Sequence, residues 1–288
     1  MATKKIQLRN TLSGRIKNYE EVSKTRLMRR TPVIIRLDGR AFHTLCRDLD
    51  KPYDYDFHRF MENTMLHLCS DIQGCVLGYT QSDEITLVLI DYQTLTTDAW
   101  FDYEVQKLCS VSASMATAYF NGAVRLYIQG LEDGYYALMR SNHAELQDAQ
   151  IKELNKWQSK MATFDARCFN LPRHEVANCL IWRQQDATRN SILSLAQSLM
   201  SHKNMQGKST KELQNIMLEQ YNVNWNDLPT AEKRGCCCIK TPDGWAIDYD
   251  IPVFTQNREY IEDRIYLEEN TLKTDPNIEA PIFEKGQS

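Results

Sequence analysis

A β-branched apolar run that ends abruptly in Asp-Gly is the strongest constraint on how this chain folds. Pro32-Val33-Ile34-Ile35-Arg36-Leu37 is typical of a strand, and Asp38-Gly39 follows it directly. A second acidic motif, the pair Asp83-Glu84, lies between the apolar segments Cys75-Val76-Leu77 and 85–90. This spacing predicts a β-hairpin with acids at its tip.

A strand-end carboxylate beside a hairpin-tip carboxylate suits Mg²⁺, which prefers hard oxygen ligands and keeps substrate phosphates in its coordination shell. Gly39 would let a phosphate or a metal ion approach the backbone. Each motif alone also has an ordinary explanation. Asp-Gly is the commonest turn dipeptide and Asp-Glu is frequent on solvated turns, so either motif by itself is compatible with turn chemistry.

Composition places the chain among soluble globular proteins. Its 288 residues are 42% hydrophobic and 25% charged, enough to bury one large core or two smaller ones. No apolar stretch reaches the roughly 20 residues that cross a bilayer, and the N-terminus lacks the apolar core of a secretory signal. We therefore expect a cytoplasmic protein with no membrane contact. The nine cysteines, scattered and without a C-x-x-C pair, are expected to be small buried hydrophobes.

Hydrophobic periodicity predicts the order β-α-β-β-α-β in the first part of the chain. Helical spacing covers residues 12–22, 55–69 and 100–120, and a strand is expected at 162–167. The predicted fold class is α+β, a ferredoxin-like βαββαβ palm whose antiparallel sheet carries helices on one face and leaves the other face free for substrate.

The remainder of the chain is mostly helical. Periodicity predicts helices at 175–201 and 210–221, followed by a strand through Ile239. We expect a palm-like catalytic region at 1–170, a helical region with short strands packed on the palm at 171–273, and a flexible tail at 274–288.

Five motifs occur in one order along the chain: Arg36-Leu37-Asp38-Gly39-Arg40-Ala41-Phe42-His43, Gly78-Tyr79-Thr80-Gln81-Ser82-Asp83-Glu84, Phe164-Asp165-Ala166-Arg167, Asn178-Cys179-Leu180-Ile181-Trp182-Arg183-Gln184-Gln185-Asp186-Ala187 and Lys233-Arg234-Gly235. With these motifs in this order, the chain resembles the tRNA guanylyltransferase family of 3′-to-5′ nucleotide polymerases. The resemblance runs from about residue 12 to at least residue 240.

The resemblance implies a polymerase-like palm that binds two Mg²⁺ ions through Asp38, the Gly39 carbonyl and Asp83, with Glu84 supporting the site. Asp38, Asp83 and Glu84 are the expected catalytic residues. The residues expected to contact nucleotide are Gly39, Arg40, Ala41, Phe42, His43, Lys51, Ser82 and Asp83. The residues expected to contact phosphate or tRNA are Arg167, Asn190, Lys208 and Lys211. Two magnesium ions would neutralise the triphosphate and lower the pKa of an attacking hydroxyl.

The implied reaction has two stages and acts on tRNA. A 5′-monophosphate is activated by a nucleoside triphosphate, usually ATP, and the 3′-hydroxyl of an incoming nucleotide, GTP in the founding members, then displaces AMP. Family members are commonly tetramers, so a homotetramer is expected. Binding of tRNA across several subunits would reconcile a nucleic-acid substrate with the formal net charge of -4.

One departure from the family pattern separates its branches. Members that add a guanylate to histidine tRNA carry His-Ile-Asn-Asn-Leu-Tyr-Asn where this chain has Thr188-Arg189-Asn190-Ser191-Ile192-Leu193-Ser194, so that only the first Asn has a counterpart, Asn190. A downstream family lysine also lacks a counterpart unless Lys208 or Lys211 replaces it. The sequence thus favours the guanylyltransferase-like branch, which repairs 5′-truncated tRNA against a template. Alternatives are a histidine-tRNA guanylyltransferase, a nucleotide cyclase, and a tRNA-binding protein without activity.

Overall fold

A computed structural model describes residues 11–94, 96–142, 151 and 155–266 of the chain. The strands are Val33–Gly39 (β1), Cys75–Gln81 (β2), Glu84–Leu89 (β3), Phe164–Asn170 (β4), Cys236–Thr241 (β5) and Gly244–Asp248 (β6). The helices are Leu12–Val22 (α1), Phe42–Leu45 (α2), Tyr55–Asp71 (α3), Val105–Asn142 (α4), Arg173–Leu199 (α5), His202–Met205 (α6), Thr210–Tyr221 (α7), Thr230–Arg234 (α8) and Glu259–Glu262 (α9). Two 3₁₀ turns cover Trp100–Tyr103 and Trp225–Asp227.

The described strands form one antiparallel sheet in the order β4-β1-β3-β2-β5-β6. The first four of these are the four strands of a β-α-β-β-α-β unit in ferredoxin-like order, which confirms the predicted α+β palm. The β5–β6 hairpin extends this sheet beyond β2. The predicted division at residue 170 therefore falls between segments that share one sheet, and the predicted tail at 274–288 lies outside the described residues.

Most predicted elements occur where the sequence pattern places them. Local capping fixes several boundaries: the Asp54 carboxylate accepts the Phe57 amide at 2.9 Å and starts α3, while Ser209 and Glu212 form a reciprocal capping box at α7. The predicted helix at 100–120 is displaced. Residues 101–103 have positive φ, so the helix begins only at Val105 and then continues to Asn142.

One face of the sheet is covered by α3 and α4. Alternate residues Val33, Ile35 and Leu37 of β1 are fully buried there, within a core whose aromatic centre is formed by edge-on ring contacts. The rings at this centre are those of Phe42, Phe57, Phe60, Phe120, Trp157 and Phe164. We call this surface the closed face of the sheet.

The sequence pattern predicted that the opposite face is free for substrate. The structure corrects this prediction, because part of that face is covered. The amino-terminal half of α5 packs on it through Val176, Ala177 and Leu180, together with residues from 251–265. Helical periodicity shows that α5 is amphipathic but does not show which face of the sheet it covers. Among the described residues, the end of this face that carries Asp38 lies outside that apolar cluster. We call the whole of this opposite face, its covered part included, the functional face.

The carboxy-terminal half of α5 forms a separate small core with α6, α7 and the Trp225 turn.

Among the residues that the structure describes, no helix is long and apolar enough to cross a membrane. All nine cysteines are free thiols. Five of them, in α3, β2 and β5, are buried as expected for small hydrophobes, whereas the other four are only partly buried.

Candidate functional site

Two tight backbone segments bring Asp38 and Asp83 to the same end of the sheet. The register pairs Gln81 with Glu84, which leaves Ser82 and Asp83 as a two-residue turn between β2 and β3. The amide of Gly39 donates to the Asp83 carbonyl at 3.0 Å and so ties the end of β1 to this turn. The predicted hairpin with acids at its tip is therefore present, and it adjoins the Asp-Gly strand end.

Both segments contain a strained backbone conformation. Ser82 has φ of 49° and Ala41 has φ of 56°, a left-handed region that residues other than glycine rarely adopt. At Gly39 a Cβ would lie 2.5 Å from the Phe42 ring, so this position needs glycine for close packing. Strained positions of this kind persist where the surrounding structure fixes them, and they concentrate at functional sites.

Three carboxylates lie side by side across the functional face. In the strand register Asp38 pairs with Asp165 of β4 on one side and with Glu84 of β3 on the other, and Asp83 follows in the turn. Burial raises the pKa of Asp83, and the neighbouring charge of Asp38 raises it further. The acids are therefore close enough for the charge of Asp38 to affect the ionisation of Asp83.

The donor set at this end fits the magnesium that the family resemblance implies. Asp38 and Asp83 supply carboxylates, and the backbone at Gly39 is close enough to the turn to share a hydrogen bond with it. Hard oxygen donors of this kind suit Mg²⁺ when substrate phosphates complete the shell. No set of three or more His, Cys, Asp or Glu side chains in the described part of the chain could hold a metal ion. Two carboxylates and one backbone carbonyl would leave coordination positions that substrate phosphates could fill.

Two arginines, Arg36 and Arg167, lie on the same face as the acids and two residues away from Asp38 and Asp165 along β1 and β4. We call them the arginine row. Arg36 of β1 is the register partner of Arg167 of β4. Like charges placed directly opposite each other in a sheet are unfavourable unless an anion lies between them. Arg167 has one neighbouring acid, Asp165, at 3.2 Å. This pair is a candidate contact for phosphate.

Glu84 is occupied by a buried ion-pair network. Its Oε2 accepts from Arg183 Nη1 of α5 at 3.0 Å and lies 3.8 Å from Arg36 Nε. Burial raises the pKa of Glu84, and the two guanidinium groups act against this shift. Glu84 therefore holds α5 against the sheet beside Asp38, which is consistent with the supporting role expected for it.

A cavity of about 340 Å³ opens beside the Ser82-Asp83 turn. It lies between the 42–58 segment, the turn, the second half of α5 and residues 231–235. Six of the predicted substrate contacts are among its lining residues: Phe42, His43, Lys51, Ser82, Asp83 and Asn190. This volume is in the range of small-ligand pockets.

The side chains of His43 and Lys51 are both exposed at this cavity. Lys51 Nζ donates to the Cys46 carbonyl at 3.3 Å, and His43 Nε2 lies 3.0 Å from the Thr44 hydroxyl. Neither side chain forms an ion pair among the described residues. Both are therefore available to an anionic ligand.

The α5 wall of the cavity is fixed by internal hydrogen bonds. Ser191 Oγ lies 2.8 Å from the Tyr53 hydroxyl and accepts from the Trp225 indole at 2.9 Å. Ser191 belongs to the 188–194 block in which this chain departs from the histidine-tRNA enzymes. The departure therefore lies in the wall of the cavity.

The structure does not bring every predicted residue together. Lys208 and Lys211 are exposed at the start of α7 and do not line the cavity. Arg40 is exposed and anchored through its amide to the Thr163 carbonyl at 2.8 Å. The sequence analysis assigned no site role to Arg36 or Arg183. Arg36 could have been found from its spacing, because residues two apart on a strand share a face.

The family model described as tRNAHis guanylyltransferase matches residues 13–172. A curated relative, the probable tRNA(His) guanylyltransferase of Dictyostelium discoideum, is 25% identical over 231 residues, which cover 75% of this chain and 78% of the relative.

Solved structures give a closer match. A bacterial tRNA(His) guanylyltransferase (Thg1)-like protein in complex with ATP is 39% identical, with a TM-score of 0.76 over 89% of this chain and all of that chain (100%). The bacterial protein in complex with GTP is 37% identical, with a TM-score of 0.69 over 88% of this chain and 98% of that one.

Proposed function

Because this chain belongs to the tRNAHis guanylyltransferase family of nucleotidyltransferases, we propose that it adds nucleotides to the 5′ end of tRNA and repairs 5′-truncated tRNA against a template. In the first stage, a tRNA 5′-monophosphate attacks the α-phosphate of ATP and pyrophosphate leaves. In the second stage, the 3′-hydroxyl of an incoming nucleoside triphosphate attacks the activated 5′ phosphate and AMP leaves. ATP and GTP bound to the bacterial relatives support nucleoside triphosphates as substrates.

One observation carries the choice of repair: the 188–194 block lies in the cavity wall. Where the histidine-tRNA enzymes have an asparagine, this chain has Ser191, and both hydrogen-bonding partners of its hydroxyl come from the protein itself. A hydroxyl used in this way is a poor reader of one particular base. The identity of the added nucleotide would then come from pairing with the opposite tRNA strand.

Roles for the remaining residues follow from their positions. Asp38, Asp83 and the Gly39 carbonyl would hold Mg²⁺, which supplies charge neutralisation of the triphosphate and acidification of the attacking hydroxyl. His43 and Lys51 would bind the triphosphate in the cavity, since both are exposed there. Arg36 and Arg167 would bind a phosphate on the functional face.

The runner-up function is addition of the extra guanylate to histidine tRNA, which the similarity to the probable tRNA(His) guanylyltransferase of Dictyostelium discoideum favours. For either function, we propose that the protein is a homotetramer and acts in the cytoplasm. Binding of tRNA by several subunits would compensate for the net charge of -4.

The test is magnesium-dependent extension of a 5′-monophosphorylated tRNA that lacks its first nucleotide, with ATP and each labelled nucleotide in turn. Four versions of this tRNA differ only in the base opposite the gap. Repair predicts that the added nucleotide changes to match that base. Full-length histidine tRNA serves as the parallel substrate, and guanylate addition confined to it would establish the runner-up. Absence of transfer to both substrates would contradict the proposed activity.

A further inference from the structure

Trp182 is an exposed aromatic residue beside the acids of the functional face. Its side chain is 52% exposed, whereas Trp100, Trp157 and Trp225 are each at most 9% exposed. Trp245, the fifth tryptophan, is half-buried. Trp182 precedes the buried Arg183 on α5, so the helix directs this ring away from its packed side.

The Trp182 ring lies on a cation that is itself fixed. The guanidinium carbon of Arg183 is 3.4 Å from the ring centroid, and that of Arg36 is 5.5 Å from it. Arg183 is 7% exposed and is held by Glu84, the register partner of Asp38. Its Nε is buried without a hydrogen-bond partner, so this guanidinium gives up a hydrogen bond in the position that supports the ring.

This arrangement costs stability, and a functional use of the ring would explain that cost. An indole that is half exposed to water forfeits part of the free energy that burial would provide, and the buried Nε adds a further cost. A half-exposed aromatic ring that contacts guanidinium groups resembles the platforms on which unpaired nucleobases stack. A solvated surface role would not require Arg183, Arg36 and Glu84 to converge on this position.

The location separates this platform from the nucleotide pocket. The cavity beside Asp83 is lined by later α5 residues such as Ala187 and Asn190, and Trp182 is not among its lining residues. Arg36, which is near the ring, is paired with Arg167 in the register of β1 and β4. A nucleobase on Trp182 would therefore have its phosphate close to the arginine row.

We propose that Trp182 stacks on an unpaired nucleobase of the tRNA acceptor end and thereby positions the tRNA 5′ phosphate beside Asp38. This inference rests on the proposed function, because it takes tRNA as the substrate. Trp182 is a positioning residue in this proposal. The same chemistry could come from the base of a nucleoside triphosphate, and the experiment separates the two sources.

The test compares Trp182→Leu and Trp182→Phe in steady-state extension of truncated tRNA. Loss of one stacked base is expected to raise the KM for tRNA in Trp182→Leu by roughly 10- to 100-fold. Trp182→Phe retains an aromatic face and should recover most of this loss. The KM for ATP should not change in either variant. Tyr249→Leu is the matched control, because Tyr249 is 51% exposed and lies outside both the cavity and the arginine row.

A binding measurement keeps this test independent of catalysis. Stacking should quench part of the tryptophan fluorescence when tRNA is added, and Trp182→Phe should lose that quenching while Trp100→Phe keeps it.

An unchanged KM for tRNA together with unchanged quenching in the Trp182 variants would overturn the proposal, even if the wild-type protein repairs tRNA normally. A raised KM for ATP alone would assign the ring to the nucleotide and also overturn it. If the protein transfers no nucleotide, quenching by tRNA still decides whether Trp182 contacts RNA. If Trp182→Leu does not fold, the quenching difference between Trp182→Phe and Trp100→Phe carries the test.

Discussion

The two faces of the sheet differ sharply although the same strands build both. On β1 the closed face receives Val33, Ile35 and Leu37, which are all fully buried, whereas the functional face receives Ile34, Arg36 and Asp38. Along the functional face, an apolar row is followed by a row of cations and then by a row of acids. The closed face has one environment throughout, and the functional face changes from core to charged surface over three residue pairs.

This difference shows how one strand serves both stability and chemistry. The period of two assigns alternate residues to alternate faces, so the requirements of the two surfaces do not compete for the same positions. Substitutions on the closed face should therefore change the free energy of unfolding, and substitutions at the charged end should change the reaction.

The largest effect is expected for the acids of the functional face. Asp38→Ala and Asp83→Ala should each lower the rate of tRNA extension by at least about 1000-fold, because each removes a carboxylate that would hold magnesium against the triphosphate. Thermal unfolding should change little, since both residues end strands and the burial and charge that raise the pKa of Asp83 disfavour its ionised form.

Asp165→Ala is the matched control for this prediction. Asp165 faces Asp38 across the β1–β4 register but is more than half exposed and paired with Arg167. Its loss should cost far less activity than loss of Asp38. Retained transfer in Asp38→Ala or Asp83→Ala would remove that residue from the proposed metal site.

A second pair of variants compares adjacent residues of β1 directly. Ile35→Ala should lower the free energy of unfolding by about 2 to 5 kcal/mol, because a fully buried side chain is lost from the closed face. Arg36→Met should lower the free energy of unfolding by less than Ile35→Ala, because its 3.8 Å contact with Glu84 is long and Arg183 still pairs with that carboxylate. Chemical denaturation and tRNA extension should be measured on both variants. Equal losses of unfolding free energy would show that the two faces contribute equally to stability at these positions and would contradict the proposed separation.

The sequence predicted the palm because its signals are local. The hairpin was visible from two apolar runs around a short polar turn, and α1 and α7 from periodicity that matches their observed bounds. The β6 strand was not predicted, although Asp243-Gly244 marks the turn before it. Its residues are mostly half-buried and give a weak alternating pattern.

The candidate site was predictable in part, for a related physical reason. Asp38 and Asp83 were found because each ends an apolar run at a turn. The contact between Arg183 and Glu84 joins residues 99 positions apart, and no local pattern encodes it. Helical periodicity marks Arg183 as part of the motif but does not show that it is buried against an acid. The covered half of the functional face was missed in the same way.

A third prediction concerns the junction of the two faces at Gly39. Gly39→Ala should lower the free energy of unfolding by about 1 to 3 kcal/mol, because its Cβ would lie 2.5 Å from the Phe42 ring in the closed core. The double variant Gly39→Ala/Phe42→Leu should lose less than the sum of the two single variants, because removal of the Phe42 ring relieves the clash that the added Cβ meets. Strict additivity in denaturant unfolding would show that the Phe42 ring does not determine the need for glycine.

The smallest effect is expected for the lysines at the start of α7. Lys208→Ala and Lys211→Ala should raise the KM for tRNA only a few-fold, leave the KM for ATP unchanged, and each lower the slope of log affinity against log salt by about 1, because they are exposed and outside the cavity. Lys51→Ala, at the cavity, should instead raise the KM for ATP. An effect of Lys208 or Lys211 on ATP would place the start of α7 at the nucleotide site, and the charged end of the functional face would then extend further than the strands that carry it.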